Sequence, residues 1–164
     1  MRNTRFVLRI GCLLGVLLAA GSWIFGVQNR PAFVRVAPEE VKWTTDADGS
    51  GMQRAVIEGD PAKPGLYIIR VKFPPGLMSN SHYHKEDRHA VVLKGTWYTG
   101  AGDEFLPEKT VPLKVGGYMK HPAGGHHFDG AKEEEVIVQI VGIGPSETVR
   151  LRPQEGNYRS SLKK

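Results

Sequence analysis

Gly76-Leu77-Met78-Ser79-Asn80-Ser81-His82-Tyr83-His84, answered downstream by Pro122-Ala123-Gly124-Gly125-His126-His127, decides how this 164-residue chain is read. On a strand, successive side chains alternate faces, so residues i and i+2 project to the same side. His82 and His84 therefore aim two imidazoles at one point, with Tyr83 turned away. A further histidine, His127, from a distant strand closes three nitrogen donors around a divalent ion and leaves other positions open to water or substrate. Only a folded β scaffold brings such separated segments together, so the site and the fold are one inference. His126, adjacent to His127, is expected to face the other way. His121 precedes Pro122, which demands extended backbone there, and is read as structural or surface.

The rest of the chain fits an all-β domain. Strands are expected at residues 53–58, 66–73, 81–84, 89–94, 96–99, 110–115, 118–121, 135–141 and, at the end, 148–151. Gly59-Asp60-Pro61, Lys63-Pro64-Gly65 and Pro74-Pro75-Gly76 punctuate them as turns. No amphipathic run long enough for a helix interrupts this cadence. An edge strand is expected at residues 33–36, and Trp43 is expected to pack on the barrel wall. The stretch from Gly102 to Pro107 reads as a loop, and residues 153–164 as a polar, loose tail.

These histidine segments resemble the two motifs of the cupin superfamily. The first joins a Gly, a His-x-His pair, a Glu and a closing Gly, matched here by Gly76, His82, His84 and Gly95. The second joins a Gly, Pro-x-Gly, a His and an Asn, matched by Gly116, Pro122, Gly124 and His127, with Ala131 at the Asn position. The resemblance spans residues 66–141. It implies a single jelly-roll β-barrel occupying residues 28–152, with one divalent transition metal (zinc, manganese, iron, nickel or copper) in its mouth. Cupins carry oxygenase, isomerase and decarboxylase activities, so the fold does not choose a reaction.

The Glu of the first motif is missing. Its place falls on Arg88 or, with the longer spacing, on His89. A guanidinium stays protonated and offers no lone pair to a metal. Two readings stand open: a three-histidine site completed by water with Arg88 facing it, or His89 as a fourth ligand. Ala90 and Val92 share a face with Arg88, and Val91 and Leu93 share one with His89; both faces are apolar, as expected of a strand buried on both sides, so parity leaves the choice open. An inward Arg88 implies something negative beside it, either Glu86 or Asp87 or the carboxylate of an anionic substrate held by its fork.

Composition excludes several classes. The formal net charge is +5, but Arg2, Arg5 and Arg9 belong to an N-terminal leader; without them 19 basic residues face 17 acidic ones, which recommends no nucleic-acid partner. The single cysteine, Cys12, also lies in that leader, so the domain has neither a disulfide nor a thiol nucleophile. No Gly-x-Ser-x-Gly, phosphate-binding loop or His-Glu-x-x-His occurs, so chemistry is expected to run through the metal. Arginines ahead of the apolar run at residues 10–27 make residues 1–27 a signal peptide or an uncleaved membrane anchor. Either form exports the domain, and the periplasm is the expected compartment. The expected partner is a small molecule, an anionic one if its carboxylate is what pairs with Arg88; a homodimer remains open, and the membrane is touched only through an uncleaved leader. A non-catalytic metal- or ligand-binding sensor is the alternative to an enzyme.

Overall fold

A computed structural model describes residues 33–161. The predicted leader, residues 1–27, lies outside the described residues. The first five strands are β1 (Thr44–Thr45), β2 (Gln53–Glu58), β3 (Gly65–Phe73), β4 (Leu77–Ser79) and β5 (His82–His84). Next come β6 (Arg88–Lys94), β7 (Trp97–Ala101), β8 (Val111–Leu113) and β9 (Tyr118–His121). The last four are β10 (His127–Gly130), β11 (Val136–Gly144), β12 (Thr148–Arg150) and β13 (Tyr158–Ser160). Short 3-10 turns are the only helical segments among the described residues.

These strands form two antiparallel sheets, a jelly-roll β-barrel. The first runs β1-β2-β3-β11-β6-β9. In the second, β12-β5-β10-β4-β13, strand β10 pairs with β5 and β4 along one edge and with β7 along the other, and β8 continues beyond β7.

Alternation on the long strands builds the core. Tyr67, Ile69, Val71 and Phe73 of β3 face inward, as do Val136, Val138 and Ile140 of β11. On β6 the inward residues are Arg88, Ala90 and Val92, opposite Gly142, Ile140 and Val138 of β11. Removing this apolar surface from water is the main stabilising term, at roughly 25 cal/mol per Å².

Glycine placement follows backbone need. Gly95, which closes the first motif, turns β6 into β7 with φ +74°, and a Cβ there would lie 2.4 Å from the carbonyl oxygen of Glu135. Only glycine meets both conditions. Gly124 also has positive φ, +71°, and its N–H donates to the carbonyl of His84 at 2.8 Å, tying the two motifs together directly.

Four expectations are corrected. Residues 33–36 form no strand; the first is β1, so the edge strand of the domain begins later. The tail is not loose through its described part: β13 pairs with β4, and Ser161 Oγ–H donates to the carbonyl of Ala131 at 2.7 Å, so the packed domain extends past residue 152. A short polar strand carries no periodicity of its own, which is why composition concealed it. β6 is not buried on both faces, since Val91 and Leu93 are exposed on its outer side. Finally, β4 and β10 form strands that the Gly-rich sequence around them disguised. Trp43 does pack on the barrel wall, with Lys72 Nζ of β3 4.3 Å from its ring centre.

Candidate metal centre

Strand β5 delivers His82 and His84 to the barrel interior, and β10 delivers His127 beside them, with His127 opposite His82 in the ladder. The ring centres of His82 and His84 lie 4.9 Å apart, those of His82 and His127 4.3 Å, and those of His84 and His127 5.3 Å. One donor nitrogen from each lies within 4.8 Å of the others. All three are buried.

The same anchoring recurs at each histidine. Nδ1–H of His82 donates to the carbonyl of Asn80 at 2.8 Å, that of His84 to Glu147 at 3.1 Å, and that of His127 to Gly125 at 2.9 Å. A backbone carbonyl thus fixes each ring's tautomer and leaves Nε2 with its lone pair, the arrangement that orients metal-ligating histidines. His127 Nε2 is buried without a hydrogen-bond partner, an unsatisfied acceptor that an ion would satisfy. Burial holds the protonation of these rings well below the ordinary imidazole range: His82 is lowered, His84 is pushed down to about 2 with help from Arg88, and His127 to about 3 with help from His121. At neutral pH all three are neutral, as ligands must be.

Arg88 faces inward and is buried. Its Nη1 lies against the His84 ring, 2.5 Å from Nε2 and 3.0 Å from Nδ1, crowding the nitrogen that a metal would take. No carboxylate forms an ion pair with this guanidinium among the described residues. Asp87 instead bonds Lys120 at 2.6 Å and accepts from the N–H of Ala123, and both Glu86 oxygens are buried without a hydrogen-bond partner. His89 points the other way. It is exposed, and its Nδ1 meets the Tyr118 hydroxyl at 2.7 Å on the outer face. The expectation of His89 as a fourth ligand is therefore corrected: the inward parity of β6 belongs to Arg88, and the outer apolar residues that obscured it are solvent-facing. His126 also faces outward, bonded to Asp103 at 2.6 Å and stacked on Tyr83.

Sequence reading missed other residues of this interior. His121 is inward and buried, stacked on His127 with ring centres 3.9 Å apart. Asp129 lies two residues beyond His127, on the same face; the i, i+2 rule would have found it had β10 been expected as a strand. Its carboxyl is held ionised, well below the ordinary range, because His121, His127 and His82 outweigh the burial that would raise it. A cavity of about 60 Å³ adjoins the histidines, and Arg54, Arg88 and Arg150 all line it. At roughly 10–15 Å³ per water-sized probe, it suits a molecule of a few heavy atoms.

No family model matches this chain, and no curated protein matches it by sequence. Its fold does match solved structures. The polyketide cyclase RemF from Streptomyces resistomycificus is 15% identical with a TM-score of 0.59, over 73% of this chain and 85% of that one. An RmlC-like cupin from Shewanella frigidimarina is 14% identical with a TM-score of 0.54, over 70% and 94%. The DMSP lyase DddQ from Ruegeria pomeroyi is 18% identical with a TM-score of 0.56, over 71% and 64%. The two antiparallel sheets, the paired motifs and these likenesses agree: the chain has a cupin-type jelly-roll fold.

Proposed function

We propose that this protein holds one divalent transition metal on Nε2 of His82, His84 and His127 and binds, or acts on, a small anionic molecule beside it. The carrying observation is the shared anchoring of the three rings, each with Nδ1 on a backbone carbonyl and Nε2 left for the interior. A bound ion would supply Lewis-acid or redox chemistry. The chain's own residues do the rest. The carbonyls of Asn80, Glu147 and Gly125 orient the donors, the apolar wall of β3 and β11 excludes water, and Arg88 offers its fork to a carboxylate. Arg88 has no carboxylate partner of its own and shares the cavity wall with two more arginines, which favours an anion over a neutral ligand. Occupation of the triad requires Arg88 to leave His84, and an anionic ligand gives it a reason to do so.

The neighbours' names include a cyclase, a lyase and a sugar phosphate isomerase, so the fold supports small-molecule chemistry without choosing a reaction. The test is uptake of Co²⁺, followed by absorption and elemental analysis. One ion per wild-type chain and none in a folded His127→Ala variant are expected. A wild-type chain that takes up no ion at neutral pH overturns the reading. The anion is tested with oxalate as probe: Arg88→Met is expected to weaken its binding about 10–100-fold, the value of one to two charge-assisted hydrogen bonds, with the ion retained. Unchanged oxalate affinity excludes Arg88 as the anion's partner.

We further propose that residues 1–27 export the domain to the periplasm. The charged-then-apolar order of the leader supports this, and so does the start of regular strand structure only at Thr44 among the described residues. Deleting residues 1–27 should leave a soluble, folded protein retained in the cytoplasm. An insoluble product would show that the leader packs on the domain.

A further inference from the structure

Behind the triad lies a cluster that the reading above does not use. His121 is 2% exposed, and both its ring nitrogens are buried without a hydrogen-bond partner, as is Nε2 of His127. Both Nε2 atoms face one oxygen, Oδ2 of Asp129, at 3.4 Å from His121 and 3.7 Å from His127. Asp129 is itself 5% exposed, and its other carboxylate oxygen lies 3.3 Å from Ser79 Oγ. No lysine or arginine pairs with this carboxylate among the described residues.

A carboxylate in a dry interior is costly unless donors or a cation meet its oxygens. Separations of 3.4 and 3.7 Å exceed those of good N–H···O bonds. They are near the spacing of donor atoms around one ion, roughly 3.3 Å for a tetrahedral metal with bonds of about 2.0–2.1 Å. The two rings stack at 15° with centres 3.9 Å apart, so His121, whose nitrogens no hydrogen bond holds, must turn about χ2 for both in-plane lone pairs to meet one ion. The three donor atoms lie within 4.8 Å of one another. Two histidines and one carboxylate form a recognised ligand set for first-row divalent ions, and here the carboxylate makes good the one lost where Arg88 stands.

We propose that His121, His127 and Asp129 form a second cation position, the one open to an ion while Arg88 is seated on His84. His127 Nε2 carries a single lone pair, so this position and the triad are alternatives for one ion. Arg88 on His84 closes the triad and leaves the carboxylate-bearing position free. An anion that draws Arg88 away opens the triad. The inference rests on the reading that the chain takes up a divalent ion, but not on the histidines of β5 holding it.

The test is Co²⁺ titration of the full chain, kept soluble in mild detergent, with circular dichroism to establish that each variant is folded. In the His82→Ala/His84→Ala double variant, one Co²⁺ per chain should still bind, within about tenfold of wild-type affinity. Adding Asp129→Asn, which preserves shape and the contact with Ser79, should weaken that binding at least about 100-fold; His121→Gln in the same background should act alike. A folded double variant that binds no Co²⁺ overturns the second position and leaves the triad standing. Binding that survives both Asp129→Asn and His121→Gln also overturns it. A wild-type chain that binds none removes the metal reading and this inference together.

Discussion

The two sheets of the barrel are built to different ends. In the first, β3 and β11 run nine residues each and β6 seven, and apart from Arg88 their inward faces are tyrosine, phenylalanine and aliphatic residues. In the second, strands run three to five residues, and the buried set on them and in the turn between β4 and β5 includes Ser79, Asn80, Ser81, His82, His84, Thr99, His127 and Asp129. Long paired strands with apolar inner faces supply burial and regular ladders. The short strands supply direction, placing polar groups that gain little from burial unless something satisfies them. Most of the candidate ligands lie on the second sheet; the first lends it Arg88 from β6 and His121 from β9.

The comparison makes its largest prediction on the first sheet. Ile69, buried on β3 between β2 and β11, should cost about 2–5 kcal/mol when cut to alanine, the range for large-to-small changes in a core. Thermal melting measures the loss, and Co²⁺ affinity of the folded fraction should not change. If affinity fell with stability, the two sheets would not be separable in function.

Arg88 breaks the pattern, so replacing it should sharpen the contrast. Burial lowers its proton affinity against the opposing pull of Tyr67, Asp129 and Glu86, and among the described residues no carboxylate lies within ion-pair distance of it. Arg88→Met puts an unbranched apolar chain in its place and should leave the metal-free protein neutral to about 1–4 kcal/mol more stable, as when buried charges give way to apolar residues. A lower melting temperature for Arg88→Met would mean that its contact with His84 is holding the fold.

Acid should act through the second sheet. His84 and His127 are held to about 2 and about 3 in the folded state, below the 6.5 of a free imidazole. Between those values and 6.5 the unfolded chain binds more protons than the folded one, so stability rises with pH across that window and falls on acidification. Each group contributes up to ~1.4 kcal/mol per pH unit. Asp129, lowered as well, adds to the loss as pH falls through the ordinary carboxylate value of 3.8, where the unfolded chain takes up the proton first. Metal-free protein titrated from pH 7 to pH 4 in denaturant melts should show this slope, and His84→Gln should reduce it. A flat profile would mean that the rings are not neutral in the folded state.

Much of this was legible in the sequence, and the failures have physical causes. Strands β2 and β9 were readable to the residue because turn residues bracket them. The jelly roll and the convergence of His82, His84 and His127 followed from strand parity and the paired motifs. β10 was hidden because a four-residue strand beside Pro122, Gly124 and Gly125 carries turn chemistry, and Asp129 was lost with it; His121 stood at the end of the readable β9 but, placed before Pro122, was read as structural or surface. β13 was hidden by its polar composition. The seat of Arg88 on His84 was beyond reach, because a side chain that long takes its direction from the packed interior and not from the backbone position alone.

The smallest expected effect belongs to His89, and it tests the parity of β6 most directly. Sequence left Arg88 and His89 as rivals for one position because both faces of the strand carry apolar residues. The structure separates them by solvent: Arg88 is buried against His84, while His89 is exposed and rests on Tyr118 of neighbouring β9. A single hydrogen bond between exposed side chains competes with water at both ends, so its net value is small. His89→Ala should therefore change stability by no more than about 0.5 kcal/mol, the range for surface substitutions away from special features. Co²⁺ stoichiometry and affinity should match the wild type, whichever position holds the ion, because neither donor set includes this ring. A loss of metal in His89→Ala with the fold intact would mean that β6 presents its other face to the cavity, and would withdraw Arg88 from both the anion and the ion.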